Sequence, residues 1–368
     1  MQPIPVVELV ESLSVVMDLM SPLIANHQIR VAYIALRLAE RIDLDETSRH
    51  ELLIASLLHD CGALSLAERE EIMQFDFDLD TEKAQRHAEI GYQLLQKFKP
   101  FAGSARLVRY HHRHWEEHPR GRKIPLASYV LHLADRVDVL IDQQAEILGQ
   151  AEGIKQKIEA ASGTLFHPGL VAQFLELADR EFFWFDIQIT SKRSTLKDEF
   201  NLATVRVGTS DLIDLAELFS QLIDFRSRFT ATHSSGVAAC AEKLADLVGL
   251  GKQECLMMKI AGYLHDIGKM AIPKEIIDKK APLTLSETNL IRRHSYCTHR
   301  ILKQIEGLEA ITEWAAAHHE RLNGSGYPFH LRERELSLGA RIMAVADVFT
   351  AVTEDRPYRP GMSVAEGL

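Results

Sequence analysis

The sequence predicts an all-α protein built as two helical domains in tandem, joined by a short, partly extended linker. Three observations carry that reading: an internal duplication, apolar residues recurring every three to four positions, and an ordinary globular composition. With His27 set on His233, the chain matches itself without a gap through Gly62 and Gly268. Val31 falls on Val237, Ala39 on Ala245, Leu44 on Leu250, Leu58 on Leu264, and the pair His59-Asp60 on His265-Asp266. One inserted residue brings His87 onto His294 and His111-His112 onto His318-His319. Five more bring Asp135 onto Asp347. A separation of 206 residues (233 − 27) is a domain duplication, because solenoid repeats have periods of about 20–50 residues.

Along the chain, Glu51 to His59, Leu212 to Leu222, Gln253 to His265 and Ala340 to Ala351 carry apolar residues at helical spacing. Thr209, Ser210 and Asp211 offer N-caps for the second of these. Gly62 and Gly268, just beyond the His-Asp pairs, read as helix stops. Between the copies, Glu181 to Gly208 loses the helical period. Phe182 to Ile189 and Ala203 to Val207 are β-branched or aromatic, which predicts short extended pieces. The expected boundaries are a first domain at 1–185, a linker at 186–208 and a second domain at 209–368.

Hydrophobic residues make up 46% and charged residues 26%, ordinary for a globular chain. A net charge of −10 argues against a general surface for nucleic-acid polymers, which needs a basic field. A small anionic substrate would need metal ions or a local basic patch. The four cysteines (Cys61, Cys240, Cys255, Cys297) have no CxxC spacing, so no disulfide framework is expected. The first residues carry no basic segment and reach Glu8 early, unlike a signal peptide. No apolar run approaches the roughly 20 residues of a membrane span. A cytoplasmic protein without a membrane partner is the expectation. The outlier is histidine, at 17 residues.

Histidine and aspartate are natural ligands for first-row divalent metals, and two adjacent ions need a bridging carboxylate or water. A single histidine on an apolar helix face is usually a satisfied core residue. Here the second copy orders His233, His265-Asp266, His294, His318-His319 and Asp347, followed in the same region by Lys269 beside the pair and by Gly324-Ser325-Gly326-Tyr327-Pro328 after the double histidine. That series resembles the HD-GYP family of metal-dependent phosphodiesterases, which hydrolyse bacterial cyclic dinucleotides, and the likeness runs from about Asp211 to Leu368.

The resemblance implies HD-type helical domains and a centre of two divalent transition-metal ions, of a kind such as iron or manganese that the sequence does not specify. His233, His265, Asp266, His294, His318, His319 and Asp347 would be the ligands, with Asp266 as the bridge. It implies that Lys269 contacts the substrate phosphate, where an ammonium point charge stabilises charge developing on a phosphoryl oxygen. Gly324 and Gly326 let the backbone turn, Pro328 fixes it, and Tyr327 presents a ring for a base. Arg321, Gly326, Tyr327 and Pro328 are thus candidate substrate contacts. So are Arg356 and Arg359 of the Arg-Pro-Tyr-Arg segment, as sources of positive charge.

Four departures from the family pattern stand out. The carboxylate that members with a third metal carry four residues before the first histidine is Phe229 here, which argues for two metals. The usual arginine three residues after that histidine is Gly236, and the usual glycine four after the middle histidine is Thr298. The first copy keeps Arg30 and Gly91 at those places. The family also continues with further helices past the Arg-Pro-Tyr-Arg segment, where this sequence stops at Leu368.

The first copy retains the whole ligand order in His27, His59, Asp60, His87, His111, His112 and Asp135. Ala63 stands where the lysine should be, and Arg113 to Arg120 replaces the glycine-rich turn. A domain that binds metal without efficient turnover is the expectation; the bland alternative is a relic whose polar cluster only holds the core. For the whole chain the expected activity is hydrolysis of cyclic di-GMP or a hybrid cyclic GMP-AMP at the second site. A non-hydrolysing cyclic dinucleotide receptor is disfavoured by the intact Lys269 and GYP turn. A general HD nucleotide phosphohydrolase is disfavoured by the second histidine pair.

Overall fold

In the computed structural model the described residues are 3–17, 25–63, 81–117, 124–189, 196–203, 205–226, 233–354 and 361–367. The first half contributes β1 (Ile4–Pro5), α1 (Val6–Met17), α2 (His27–Ala39), α3 (Glu46–Leu58), α4 (Thr81–Leu95), α5 (Ala102–Tyr110), α6 (Leu126–Val139), α7 (Leu148–Ala160), α8 (Pro168–Ala178), α9 (Glu181–Ile189) and α10 (Leu196–Glu199). The second half contributes β2 (Arg206–Val207), α11 (Thr209–Arg226), α12 (His233–Leu247), α13 (Lys252–Leu264), α14 (Lys274–Ile277), α15 (Leu285–Leu302), α16 (Glu309–Ala316), α17 (Leu338–Thr353) and α18 (Val364–Gly367). The fold is all-α, and the duplication is visible in the helix starts. His27 and His233 each open a helix; Glu46 and Lys252 do so at the same separation, and Leu126 and Leu338 open the helices that carry Asp135 and Asp347.

The chain forms two compact units, Ser21–Thr204 and Met1–Met20 with Val205–Leu368. In the second unit α12 packs on α13 and α17, and α15 packs on α16 and on the 3-10 turn Ile267–Ala271. The α12–α13 crossing is close because small residues line it. A Cβ on Gly262 would lie 2.5 Å from the Ala238 Cα, and Ala238, Ala241 and Ala245 are fully buried. Larger side chains there would push apart the helix that starts at His233 and the one that ends at His265.

Residues 3–17, expected within the first domain, pack into the second unit. β1 pairs antiparallel with β2, Ile4 opposite Val207, and the Val6 amide donates to the Val205 carbonyl at 3.1 Å. Val6, Leu9, Val10 and Leu13 sit at helical spacing, and none is more than 1% exposed. They place α1 against α15 and the Ile267–Ala271 turn. Residues 182–189, expected to be extended, form α9. Phe183, Trp184 and Ile187 are buried on one side of that helix while Phe182 and Phe185 are exposed, so burial at three-to-four spacing overrides strand propensity. The Trp184 indole donates to the Ala178 carbonyl at 2.8 Å.

Candidate metal centres

In the second unit the ligand candidates come from helix ends. His233 opens α12, His265-Asp266 close α13, His294 lies within α15, His318-His319 follow α16, and Asp347 lies within α17. They converge as two triads, His233-His265-Asp347 and His294-His318-His319, each with ligand atoms within 4.8 Å of one another. Asp266 lies between the triads. Its Oδ2 is 3.1 Å from His265 Nε2, and its Oδ1 is 3.3 Å from His294 Nε2 and 4.0 Å from His318 Nε2. Asp347 Oδ1 is 3.2 Å from His233 Nε2.

The backbone fixes which nitrogen each ring offers. Nδ1 of His265, His294 and His318 lies 2.6–2.7 Å from the carbonyl three residues earlier, on Gly262, Ile291 and Ala315. A carbonyl only accepts, so Nδ1 carries the hydrogen and Nε2 is left with its lone pair facing the cluster. Nε2 of His265 is fully buried without a hydrogen-bond partner among the described residues. Burying a bare acceptor among carboxylates is costly unless a cation satisfies it. The donor set therefore fits divalent metal ions of the borderline type that imidazole and carboxylate favour.

Three imidazoles and Asp266 are held in the forms a metal takes, whereas Asp347 and Glu354, against burial, push His233 up to about 9 in the metal-free protein. Burial, then His319 and His265 nearby, hold His318 well below the usual imidazole range. Burial and neighbouring cations bring His294 down to about 4, and burial with His294 nearby brings His319 to about 3. Burial opposes ionisation of Asp266, yet His265 and Lys269 hold its carboxyl well below the usual range. Neutral imidazoles and charged carboxylates are the ligand forms a metal requires.

Around this cluster the structure arranges three further groups. Lys269 Nζ sits 2.5 Å from Asp266 Oδ2 on the Ile267–Ala271 turn. Thr298, where the first copy has Gly91, locks that turn: its hydroxyl donates to the His265 carbonyl at 2.8 Å and accepts from the Gly268 amide at 3.1 Å. The helix does end just before Gly268, at Leu264, but Gly268 is not in a left-handed conformation. Its role is close approach, because a Cβ there would fall 2.0 Å from the His294 carbonyl oxygen. In the loop, the Tyr327 ring lies 4.8 Å from the His319 ring at an interplanar angle of 38°, and the Arg292 guanidinium lies 4.6 Å from the Tyr327 centroid. Gly326 is required by crowding, since a Cβ would meet the Arg321 amide nitrogen at 2.4 Å.

Sequence reasoning missed several contributors. Glu320, 2% exposed, grips the loop by accepting from the amides of Phe329 (2.7 Å) and Leu331 (3.0 Å). Arg292 carried a signal, a basic residue two positions before His294. Asp224 is buried at the cluster, accepts from the Ser234 hydroxyl at 3.0 Å, and is pushed up to about 6 by burial and Asp266. Arg321 is exposed and lines a groove of about 430 Å³ with Val345 and Phe349. Pro328 is half-buried beside Tyr327. Phe229, Arg356 and Arg359 lie outside the described residues.

The first unit brings together its own series. His27, His59 and Asp135 form one triad and His87, His111 and His112 another. Asp60 again lies between, 3.4 Å from both His59 Nε2 and His87 Nε2. Nε2 of His27 and of His59 is buried without a hydrogen-bond partner among the described residues. Here, however, the buried Arg136 guanidinium donates to Asp135 Oδ2 at 2.7 Å, so a fixed cation already holds part of that carboxylate. The equivalent position in the second unit is Val348.

Two helical units, each closing an ordered His/Asp cluster, define a tandem HD-domain protein. Models of the HD domain match residues 24–140 and 217–368. The chain is 33% identical over 356 residues to 3'3'-cGAMP-specific phosphodiesterase 1 of Vibrio cholerae, covering 93% of this chain and 81% of that protein. It is 26% identical to 3'3'-cGAMP-specific phosphodiesterase 3 of the same organism (99% and 90% covered). A cyclic di-GMP phosphodiesterase of Pseudomonas aeruginosa matches at 37% over 49% of this chain and 42% of its own length. A crystal structure of a V. cholerae cyclic GMP-AMP phosphodiesterase has the same fold, with a TM-score of 0.68 at 24% identity over 100% of this chain and 92% of that one. The chain belongs to the HD-GYP-type family of tandem HD-domain phosphodiesterases. No helix among the described residues is long and apolar enough to cross a membrane.

Proposed function

We propose that the second unit hydrolyses a cyclic dinucleotide at a centre of two divalent transition-metal ions such as iron or manganese. His233, His265 and Asp347 would hold one ion, His294, His318 and His319 the other, and Asp266 both. The observation that carries this reading is the position of Asp266, whose two oxygens face different triads. When bound, the ions would activate water and neutralise charge on the phosphate. Lys269 adds an ammonium beside the bridge, placed to hold a non-bridging phosphate oxygen. Tyr327, backed by His319 and flanked by Arg292, offers a ring face to a base. Arg321 at the loop, and Arg356 and Arg359 further on, would supply the remaining positive charge.

Between the two dinucleotides, 3'3'-cyclic GMP-AMP is the first substrate to test, because the relatives matching nearly the whole chain carry that specificity in their names. Relatives named for cyclic di-GMP, such as the P. aeruginosa protein, match about half of the chain or less. The first unit is proposed to hold metal without turnover: its ligand order is complete, but Ala63 offers no ammonium and Arg136 occupies Asp135. The deciding experiment incubates purified protein, loaded with Mn²⁺ or Fe²⁺, with each dinucleotide and separates products by chromatography. Cleavage of the hybrid in preference to cyclic di-GMP is the expected result. Tight binding of either with no product would favour the receptor reading instead. Two anomalous-scattering peaks sharing Asp266 are expected in crystals, and a third full-occupancy peak there would refute the two-ion count.

A further inference from the structure

The two units hold their first histidine by different means. In the first unit His27 Nδ1 lies 2.7 Å from Asp138 Oδ2, and Arg30 clamps that carboxylate through Nε at 2.5 Å and Nη2 at 2.9 Å. By the repeat register, Arg30 corresponds to Gly236 and Asp138 to Thr350, so the second unit has lost both partners. Its His233 is nonetheless held: Nδ1 lies 3.1 Å from Glu354 Oε2. Helix α17 runs to Thr353, two residues past the point equivalent to the end of α6, and presents Glu354 at its terminus. The residue equivalent to Glu354 in the first unit, Asp142, accepts instead from the Gln144 amide at 2.9 Å.

The room for this exchange is visible. A Cβ on Gly236 would sit 2.9 Å from Thr350 Cγ2 and 3.3 Å from Glu354 Oε1. The missing side chain at 236 is what lets the Glu354 carboxylate lie against His233. The three differences therefore work together: Gly236 opens space, Thr350 withdraws the original carboxylate, and Glu354 supplies a new one from the next turn.

We propose that Glu354 is the positioning residue for His233, accepting its Nδ1–H so that Nε2 is fixed toward Asp347 and the metal position, in place of the Arg–Asp pair kept by the first unit. This rests on reading the second-unit cluster as a metal centre. A carboxylate behind a metal-bound imidazole fixes the ring and raises its basicity, and loss of such a partner typically costs about 10–100-fold in metal affinity. Glu354→Ala should weaken Mn²⁺ binding in a chelator-competition titration by that factor. Glu354→Gln, which keeps an acceptor oxygen, should lose less than Glu354→Ala. Rebuilding the other unit's pair, as Gly236→Arg and Thr350→Asp on Glu354→Ala, should restore affinity to within several fold. Unchanged affinity in Glu354→Ala would overturn the proposal, as would a folded triple variant without recovery. Should the triple variant not fold, equal losses in the Ala and Gln variants would overturn it, and a smaller loss in Gln would support it. If the second-unit cluster of the unaltered protein binds no Mn²⁺, so that His265→Ala changes nothing, it is the metal-centre reading that fails.

Discussion

The two units start from the same ligand order and end as different sites. In the second, Asp266 is shared by two triads and by Lys269, while the loop from Gly324 to Pro328 brings Tyr327 over His319. In the first, Ala63 stands at the position of Lys269, and Arg136 is buried against Asp135. Duplication conserves a metal-shaped cavity easily, because its imidazoles are oriented by backbone carbonyls that come with the helices. His59 to the Ser56 carbonyl and His111 to the Val108 carbonyl repeat the pattern of His265 and His318. The groups proposed for substrate rest on fewer side chains, and the first unit has Ala63 at the lysine position and Arg113 to Arg120 at the turn.

The strongest way to break this comparison is to remove the shared carboxylate from each unit in turn. His265→Ala with Asp266→Ala should reduce hydrolysis by on the order of 10³-fold or more, with less bound metal. His59→Ala with Asp60→Ala should leave turnover within a few fold. Equal losses, read by product chromatography and metal analysis, would make the first unit a second active site. A smaller effect is expected from the lysine. Lys269→Ala should lower kcat about 10²-fold, the usual effect of deleting one donor to a developing oxyanion. Ala63→Lys in a chain lacking Asp266 should not create activity, because the loop is also missing there. Activity appearing in that variant would show that one residue separates the units.

Leu13→Ala tests a difference of packing. It should cost the second unit about 2–5 kcal/mol, the range for emptying a buried leucine site, and leave the first unit's protection in hydrogen exchange unchanged. Protection lost only in residues 25–189 would show that α1 belongs elsewhere. The mildest test is acid. In metal-stripped protein the lowered imidazoles, His294 at about 4 and His319 at about 3, sit below their unfolded value. The unfolded chain then takes up protons first, so stability should fall as pH drops from about 6.5 toward about 4. His233, lifted to about 9 by Asp347 and Glu354 against the effect of burial, works the other way. Its contribution is complete below about 6.5 and fades as pH rises toward about 9. His111 and His112 are lowered as well, so both units should soften in the acid window. A unit whose melting point is flat there would contradict the burial of its histidines.

The ligand order, the helices and the duplication were legible in sequence because each is written in residue identity at fixed spacing. Gly326 was legible as a turn, while Gly268 was legible only as a glycine. What requires it is the His294 carbonyl, from a helix about 26 residues away, and no local pattern reports that contact. Glu354 was hidden for a similar reason. Its partner is fixed by the absence of a side chain at Gly236, and reading that absence needs both helices in place. Residues 6–13 fall before the repeat, which begins at His27, so the sequence places them in the first domain by position alone and carries no sign of their destination.

The placement of β1 and α1 has a consequence for how the chain is made. Synthesis releases Val6, Val7, Leu9, Val10 and Leu13 about 200 residues ahead of the partners that bury them, which begin with Val205. At roughly 5–20 residues per second, the ribosome needs about 10–40 s to reach that point, and longer to finish α15. The inserted unit can close in the meantime, whereas the unit bearing Lys269 must wait for both ends of the chain. Until then the apolar residues of α1 lack the surface that buries them, and such segments are the kind that chaperones bind.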